Sequence, residues 1–544
     1  MSASSLTGLS PKEILAVLDG SIAKDPFWKL SRAPQRQLLS TIDHTRLREM
    51  YTVTAENLPY ANIDWLDTTG VAMQWGARYG ARAIDTTAPL PNPAWGKRLV
   101  KKAFRYQRIE KALWKTHHYG YELQADEDHV VLTAPADPSP EAFDLAFNQR
   151  AWDVDDSIVL DPTFVDSLAS ISERVLPMRL RHDPTNKADL WKKLVPVYIS
   201  TVMKTRPFKF HLLREDREFN GVSIRDYCNV WHVLYAHAFA HQYSALQLAY
   251  IPVHCLSDRI ATIVDAVRHY YPETSPEKAA SALLNIAYDP ERDPSQLAAK
   301  DHGLWPVVRE DSDRILIPLA TVLDNRVERV LLRLGARQPE EFGPVGRDLD
   351  IAKDLATIIC NAVRDSLLVA PAVRMTDSRG RARGDLDVVA FSPSTNMGLI
   401  VEVGGGIRPA SGQEFLGTIS GILKKAEEQV PRTREALAAE DTVVDWPSDW
   451  PDMSRVKWTW AISGQNYLGL EGIAEAREVL RSSDLFEIST NIVEFVGEHQ
   501  TLSELISSVR DPLVPEVKRG KETIKFGQYT FTIDGLVAKA HAPL

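Results

Sequence analysis

Between residues 383 and 406 the chain reads RGDLDVVAFSPSTNMGLIVEVGGG, two short apolar runs around a polar turn. Runs of that length and period, joined by Ser-Pro-Ser-Thr-Asn, specify a β-hairpin. Alternation puts Asp385, Asp387, Val389 and Phe391 on one face of the first strand, with Leu386, Val388 and Ala390 on the other. In the second strand Glu402 shares a face with Ile400, opposite Leu399, Val401 and Val403. A hairpin folded symmetrically between Ser394 and Thr395 sets Asp387 directly opposite Glu402, with Cβ atoms about 4.5–5.5 Å apart. Like charges so placed destabilise a sheet unless a cation sits between them. Two converging carboxylates are hard oxygen ligands suited to Mg²⁺ or Mn²⁺. The same pair also fits a solvent-facing edge decorated against aggregation, and the glycines fit a plain turn.

The flanking pattern describes an α/β layer with a mixed sheet. A helix is expected from about 347 to 368, then Pro371 and short β-branched runs. A second helix near 412–430 is expected to stop at Pro431. The Trp- and Pro-rich loop DWPSDWPDM precedes a strand over 456–463, a helix over 471–481 and a strand over 486–496. In GRDLDIAKDLATIICNAV, Ile351, Leu355, Ile358 and Ile359 form a buried stripe with Asp350 and Asp354 on its flank. An acid there can point along the sheet toward the hairpin.

The series GRDLD…GDLDVVAFSPSTNMGLIVEV resembles the PD-(D/E)XK nuclease superfamily over roughly residues 340–500. The resemblance implies a restriction-endonuclease-like core: a helix bearing an acid, a hairpin bearing Asp and then Glu-x-Lys, and a further helix and strand. It also implies divalent-metal phosphodiester hydrolysis with Mg²⁺ or Mn²⁺, Asp387 and Glu402 as metal ligands, and Asp350 as the helix acid. The chain departs from the family at one position: Gly404 stands where the lysine two residues after the glutamate is expected. That lysine positions the attacking water and stabilises charge at the phosphate. Some members of the superfamily carry it on a neighbouring element. Lys424 and Lys425 are the substitutes here, with Arg408 a weaker one. A catalytically inactive nuclease fold, kept as a nucleic-acid-binding or assembly scaffold, is the alternative.

At 544 residues the chain exceeds one hydrophobic core, and the fold class expected is α+β multidomain. A mainly helical recognition or assembly region is expected over 1–335, with a break near 124–165. A nuclease-like domain is expected over 340–505, and a β-hairpin tail around Gly527 over 506–544. Ser10, Pro11 and Glu13 read as a helix start, as does Ser-Pro at 275–276; ILIPLATVLDNRVERVLLRLG reads as a helix ending at Gly335. The apolar spacing over 222–271 reads as one or two buried helices. The most lipophilic stretch, 230–256, is interrupted by His232, His237, His241, Gln242 and Pro252, so it reads as a buried helix and no membrane partner is expected. Cys228, Cys255 and Cys360 show no CxxC pairing, and no basic n-region opens the chain. A cytoplasmic location is expected.

The net charge of −10 opposes non-specific adsorption to nucleic acid unless basic residues gather locally. They gather at WGKRLVKKAFRYQRIEKALWKTHH, where Lys97, Arg98, Lys101, Lys102, Arg105, Arg108, Lys111 and Lys115 face Glu110 alone. Lys97, Lys101, Arg105 and Arg108 share one helical face. These residues are the expected nucleic-acid contacts, while a solvated amphipathic helix remains open. MKTRPFKFHLLR, 203–214, is a weaker basic stretch. His237 and His241 have the i, i+4 spacing of a metal pair, but Ala238 replaces the zincin glutamate, which favours a buried helix with hydrogen-bonded histidines. GGGIRP is followed by no GK[ST] and so makes no P-loop. The partner expected is nucleic acid, DNA rather than RNA, with a protein partner or second copy of the chain left open. By association alone, the pairing of such a nuclease with a helical module resembles prokaryotic defence proteins.

Overall fold

The computed structural model describes residues 5–31, 38–43, 45, 70–80, 93–137, 141, 215–247, 255–289, 307–324, 327, 330, 331, 334, 335, 349–404, 412–464, 473–488, 499–510 and 517–538. Helices and mixed sheets make the chain α+β. It divides into two compact units, Met1–Ile14 with Ile109–Asp155 and Gly346–Leu544, and Leu15–Arg108 with Asp156–Val345.

Helix α1 (Pro11–Ala23) opens with a capping box: Ser10 N–H donates to Glu13 Oε2 at 2.8 Å, and Glu13 N–H to Ser10 Oγ at 3.4 Å. Helix α2 spans Pro93–His118, followed by strands β1 (Glu122–Ala125) and β2 (His129–Thr133). A small hairpin, β3 (Glu218–Phe219) and β4 (Val222–Ser223), leads into α3 (Ile224–Gln247). Then come β5 (Cys255–Arg259), α4 (Ile260–Tyr270), α5 (Pro276–Asn285), β6 (Ala287–Tyr288), β7 (Val307–Arg309) and β8 (Arg314–Pro318). Ser275 caps α5 by accepting from Lys278 N–H at 3.2 Å. These strands form a four-stranded sheet in the order β5-β8-β7-β6. Helix α6 (Leu319–Asp324) follows β8.

Two expectations change here. Ile315–Pro318 is strand, not the start of a helix, and Cys255–Arg259 is strand next to the helix of the lipophilic stretch. An apolar run of four or five residues fits a strand flanked on both sides as well as it fits a buried helix, and β8 is paired by β5 and β7. The core around them gathers Tyr227, Trp231, Ile263, Leu283, Ile317 and Val322.

The second sheet carries the hairpin. Helix α7 (Leu349–Ala362) precedes β9 (Leu368–Asp377), β10 (Ala382–Ser392) and β11 (Met397–Gly404). Helix α8 (Gly412–Lys424) runs through a π-helical turn, Lys425–Gln429, into α9 (Val430–Ala438). The remaining elements are β12 (Thr442–Val444), β13 (Lys457–Gly464), α10 (Ala474–Ser482), β14 (Leu485–Glu487) and α11 (Leu502–Arg510). The strand order is β12-β9-β10-β11-β13-β14. The pairs from β12 to β11 are antiparallel, and those from β11 to β14 are parallel. Tight turns join β9 to β10 and β10 to β11, β12 returns to the edge of β9 after the crossover, and β11 reaches β13 only through the helical crossover that a parallel pair requires. Helix α7 packs against β9 and β10, and α11 against β11 and β14. Ile419, Ile422, Leu423, Ala426 and Val430 of the crossover bury against Leu386, Val389, Ile400, Trp460 and Ile462.

The crossover does not stop at Pro431, as its sequence suggests, but continues to Ala438. A proline ring collides with the carbonyl four residues back in a regular α-helix. The wider turn just before it, in which Val430 N–H bonds Lys425 O, relieves that collision. At the far end of β11, Gly398 makes room for Trp458, whose ring atoms would lie 2.3 Å from a Cβ there. Trp446 stacks on Trp458 at 5.6 Å and on Trp450 at 5.8 Å, so the Trp-rich loop closes over the hairpin end of the sheet.

Strands β15 (Val517–Phe526) and β16 (Tyr529–Ala538) form an antiparallel hairpin about Gly527, φ 63°. This hairpin is not an isolated tail: β16 pairs parallel with β2, giving a sheet β1-β2-β16-β15.

Candidate metal centre

Strands β10 and β11 pair Ser392 with Met397, and so on to Val388 with Val401. One more step in that register would oppose Asp387 to Glu402. The ladder ends before it. The Asp387 carboxylate instead accepts the N–H of Val403 at 2.7 Å. On its other side, β9 pairs Val373 with Leu386 and Pro371 with Val388, leaving Ala372 beside Asp387 in the left-handed region with φ 52°. A proline without N–H and a residue off the extended conformation loosen β9 at that point.

Glu402 is fully buried. Gln429 Nε2 donates to its Oε2 at 3.1 Å, whereas Oε1 receives no hydrogen bond among the described residues. Burial, then the charge of Asp387, pushes the Glu402 carboxyl up to about 8, with Lys425 pulling the other way. The two carboxyl groups are within hydrogen-bonding reach of each other. Two carboxylates cannot donate to one another, so the pair needs either a shared proton or a cation.

Lys425 lies in the π turn, and its Nζ donates to Val403 O at 2.6 Å. Val403 is therefore held at both of its backbone groups, its N–H by Asp387 and its carbonyl by Lys425. Lys424, one residue earlier, is exposed. A side chain at Gly404 would be tightly placed: its Cβ would lie 3.2 Å from Ser463 O, which would have to give by a few tenths of an ångström, and in ordinary contact with Ile422 Cγ1 at 3.5 Å. The crossover helix borders that space, and Lys425 approaches from the helix itself.

Asp350 falls in the first turn of α7, and its side chain lies outside the described residues, as do Asp354's side chain and the whole of Arg408. No group of three His, Cys, Asp or Glu close enough to hold a metal occurs among the described residues. Two acids suffice for Mg²⁺, which commonly takes one or two carboxylates and keeps several waters. A buried Glu402 carboxyl with a donorless Oε1, close to the Asp387 carboxyl, fits such an ion.

Gln429 is the residue that sequence reasoning missed. Its signal is available: it stands four residues after Lys425, beside the buried stripe of Ile422, Ala426 and Val430.

The basic stretch forms one continuous helix, α2. Lys97, Lys101, Arg105 and Arg108 are exposed along it, whereas Lys102 is drawn to Asp25 at 2.5 Å. Arg98 lies 3.7 Å from Asp25 and over the Phe27 ring, and Lys115 bonds Glu141 at 2.6 Å. Arg108, though exposed, also lies over the Phe104 ring, 5.5 Å from its centroid. In α3, His237 is held below its ordinary value by burial, and His232 Nδ1 pairs with the Tyr271 hydroxyl at 2.7 Å. The side chain of His241, all of His254 and the stretch 203–214 lie outside the described residues. No helix among the described residues is long and apolar enough to cross a membrane. No family model, curated protein or solved structure matches this chain.

Proposed function

We propose that the unit carrying β9–β14 is a divalent-metal-dependent phosphodiesterase acting on nucleic acid, DNA in preference to RNA. One observation carries this: a buried glutamate whose Oε1 has no donor faces an aspartate at the end of a hairpin, beside a lysine. The order of a helix, an antiparallel hairpin sheet and a crossover to parallel strands supports a PD-(D/E)XK arrangement.

Asp387 and Glu402 hold the ion, with Asp350 assisting from α7. Bound Mg²⁺ or Mn²⁺ supplies Lewis-acid polarisation and a more acidic water. Lys425 takes the part of the lysine that Gly404 displaces, bringing positive charge to the strand end where a phosphate accumulates charge. Gln429 steadies Glu402 from the buried side. Basic side chains on α2 neutralise the phosphate backbone.

A second reading, a nuclease fold kept as a binding or assembly platform, is favoured by one observation: the Lys425 ammonium already bonds the Val403 carbonyl, supplying internal positive charge. A cleavage assay separates the two. Plasmid, short DNA duplexes and RNA are incubated with Mg²⁺ or Mn²⁺ and the protein, beside Asp387→Ala and Glu402→Ala. Metal-dependent cleavage lost in both variants supports the phosphodiesterase. Equal cleavage by wild type and variants, or none by any, sinks it.

A further inference from the structure

We infer that Gln429 is a positioning residue for Glu402, brought to the metal centre by the π-helical turn in the crossover helix. The inference rests on the phosphodiesterase reading and names a residue of that same site. Gln429 Nε2 donates to Glu402 Oε2 at 3.1 Å, and Lys425, at the other end of the turn, donates to Val403 O at 2.6 Å. The turn Lys425–Gln429 thus sends both of its terminal side chains to successive residues of β11.

Helix geometry explains why the turn is wide. In an α-helix the fifth residue advances about 40° past the first around the axis, because 3.6 residues close a turn. That advance would carry residue 429 toward the buried Ala426–Val430 stripe. A wider turn removes it and keeps 425 and 429 on one line facing the strand. Isolated π turns inside α-helices recur at functional sites for this kind of reason.

The division of labour on Glu402 follows. A buried carboxylate keeps the orientation that its packing and hydrogen-bond donors impose. Gln429 fixes Oε2, and Oε1 is left without a donor among the described residues, in a carboxyl close to that of Asp387. A ligand-orienting amide of this kind acts through the carboxylate, without touching metal or substrate.

The test is Mn²⁺ binding to the full chain by calorimetry, with thermal melting of the same samples. Gln429→Met keeps the length and volume of the side chain and removes the donor. Mn²⁺ affinity should fall about 10–100-fold, the usual cost of losing a partner that orients a metal ligand. Gln429→His presents an N–H the same number of bonds from the backbone and should recover most of that loss. A purely structural role predicts a lower melting temperature with unchanged Mn²⁺ affinity in Q429M. That result overturns the inference alone, as does a Q429H protein no better than Q429M. If the wild type binds no Mn²⁺, or Glu402→Gln binds it equally well, the phosphodiesterase reading falls and this inference with it. Should Q429M fail to fold, Q429H decides: affinity near that of wild type supports positioning, and loss comparable to E402Q overturns it.

Discussion

Lys425 reaches from the π turn to the carbonyl of Val403, the residue whose N–H is held by Asp387. One backbone unit of β11 therefore links the two acids and the lysine. Because Val403 directly follows Glu402, anything that moves Lys425 or Asp387 also moves the buried carboxyl. This coupling makes the site readable by stability as well as by cleavage.

Glu402 should limit stability at alkaline pH. Its folded-state pKa is raised from an ordinary 4.5 to about 8, mainly by burial. The unfolded chain then releases the proton first. The contribution is fully present below about 4.5, and is lost as pH rises toward 8. Denaturation from pH 5 to 9 should show wild-type stability falling across this window. Glu402→Gln removes the buried charge, so its curve should be flatter and its melting temperature higher at pH 8, while Mn²⁺ binding is lost. A Glu402→Gln protein less stable than wild type at pH 8 would contradict the assigned environment. Stability given up for a functional charge is a common trade at active sites.

Lys425 and Lys424 should differ sharply although they are neighbours. Lys425→Met removes the charge that favours ionised Glu402, and cleavage should fall by roughly 10²–10³-fold, as for loss of one electrostatic donor. Lys424→Met, exposed, should stay within about twofold of wild type. Gly404→Lys in the Lys425→Met background should not restore cleavage fully, because its Cβ, 3.2 Å from Ser463 O, has to push that strand carbonyl aside. It should also cost about 1–3 kcal/mol by overpacking. Initial rates and urea midpoints check the three variants together. Full rescue by Gly404→Lys would show that the strand carbonyl yields more readily than its packing implies.

The exposed half of α2 should govern salt dependence. Reversing Lys97, Lys101, Arg105 and Arg108 to Glu should weaken DNA binding. The slope of log K against log salt should shrink by about 0.9 for each phosphate contact removed. Lys102→Ala should act differently, lowering stability through the lost Asp25 pair with little change in that slope. Gel shifts at several salt concentrations distinguish them. An unchanged slope after the fourfold reversal removes α2 from the binding surface.

Much of the hairpin was legible because β-structure has a short period. Alternation and a polar turn were enough to set the register, which the observed pairs from Ser392–Met397 to Val388–Val401 follow. Legibility ended at Asp387, where the ladder stops and the side chain takes the Val403 N–H. At the same point Pro371 and Ala372, φ 52°, flank Asp387 on the neighbouring strand, a relationship no local pattern records. The continuation of the crossover past Pro431 was hidden for a similar reason. Proline argues for a helix end, whereas the wider turn before it and the packing of Ala426 and Val430 on the sheet keep the chain helical there. Gln429 went unread because its role depends on that continuation. The strand Arg314–Pro318 was hidden by its burial on both faces, which erases the alternation that would reveal it.

Gly398 should prove to be the structural key of the opposite end of the sheet. It pairs with Trp458 across β11 and β13, and that indole lies where a side chain at 398 would go. Trp458 in turn supports the stack with Trp446 and Trp450. Gly398→Ala forces the ring away from the sheet, since rigid strand backbones on both sides leave the Cβ no other direction. The cost should be about 1–3 kcal/mol, as for an extra methyl in a packed core. Because the three indoles report on one another, the change should also appear as altered near-ultraviolet circular dichroism and tryptophan emission. Mn²⁺ affinity should hold within about twofold, since Glu402 lies four residues further along β11, about 13 Å away. A Gly398→Ala protein with native stability and an unchanged tryptophan spectrum would mean the loop is free to move off the hairpin, and the close approach at Gly398 would not be what holds it.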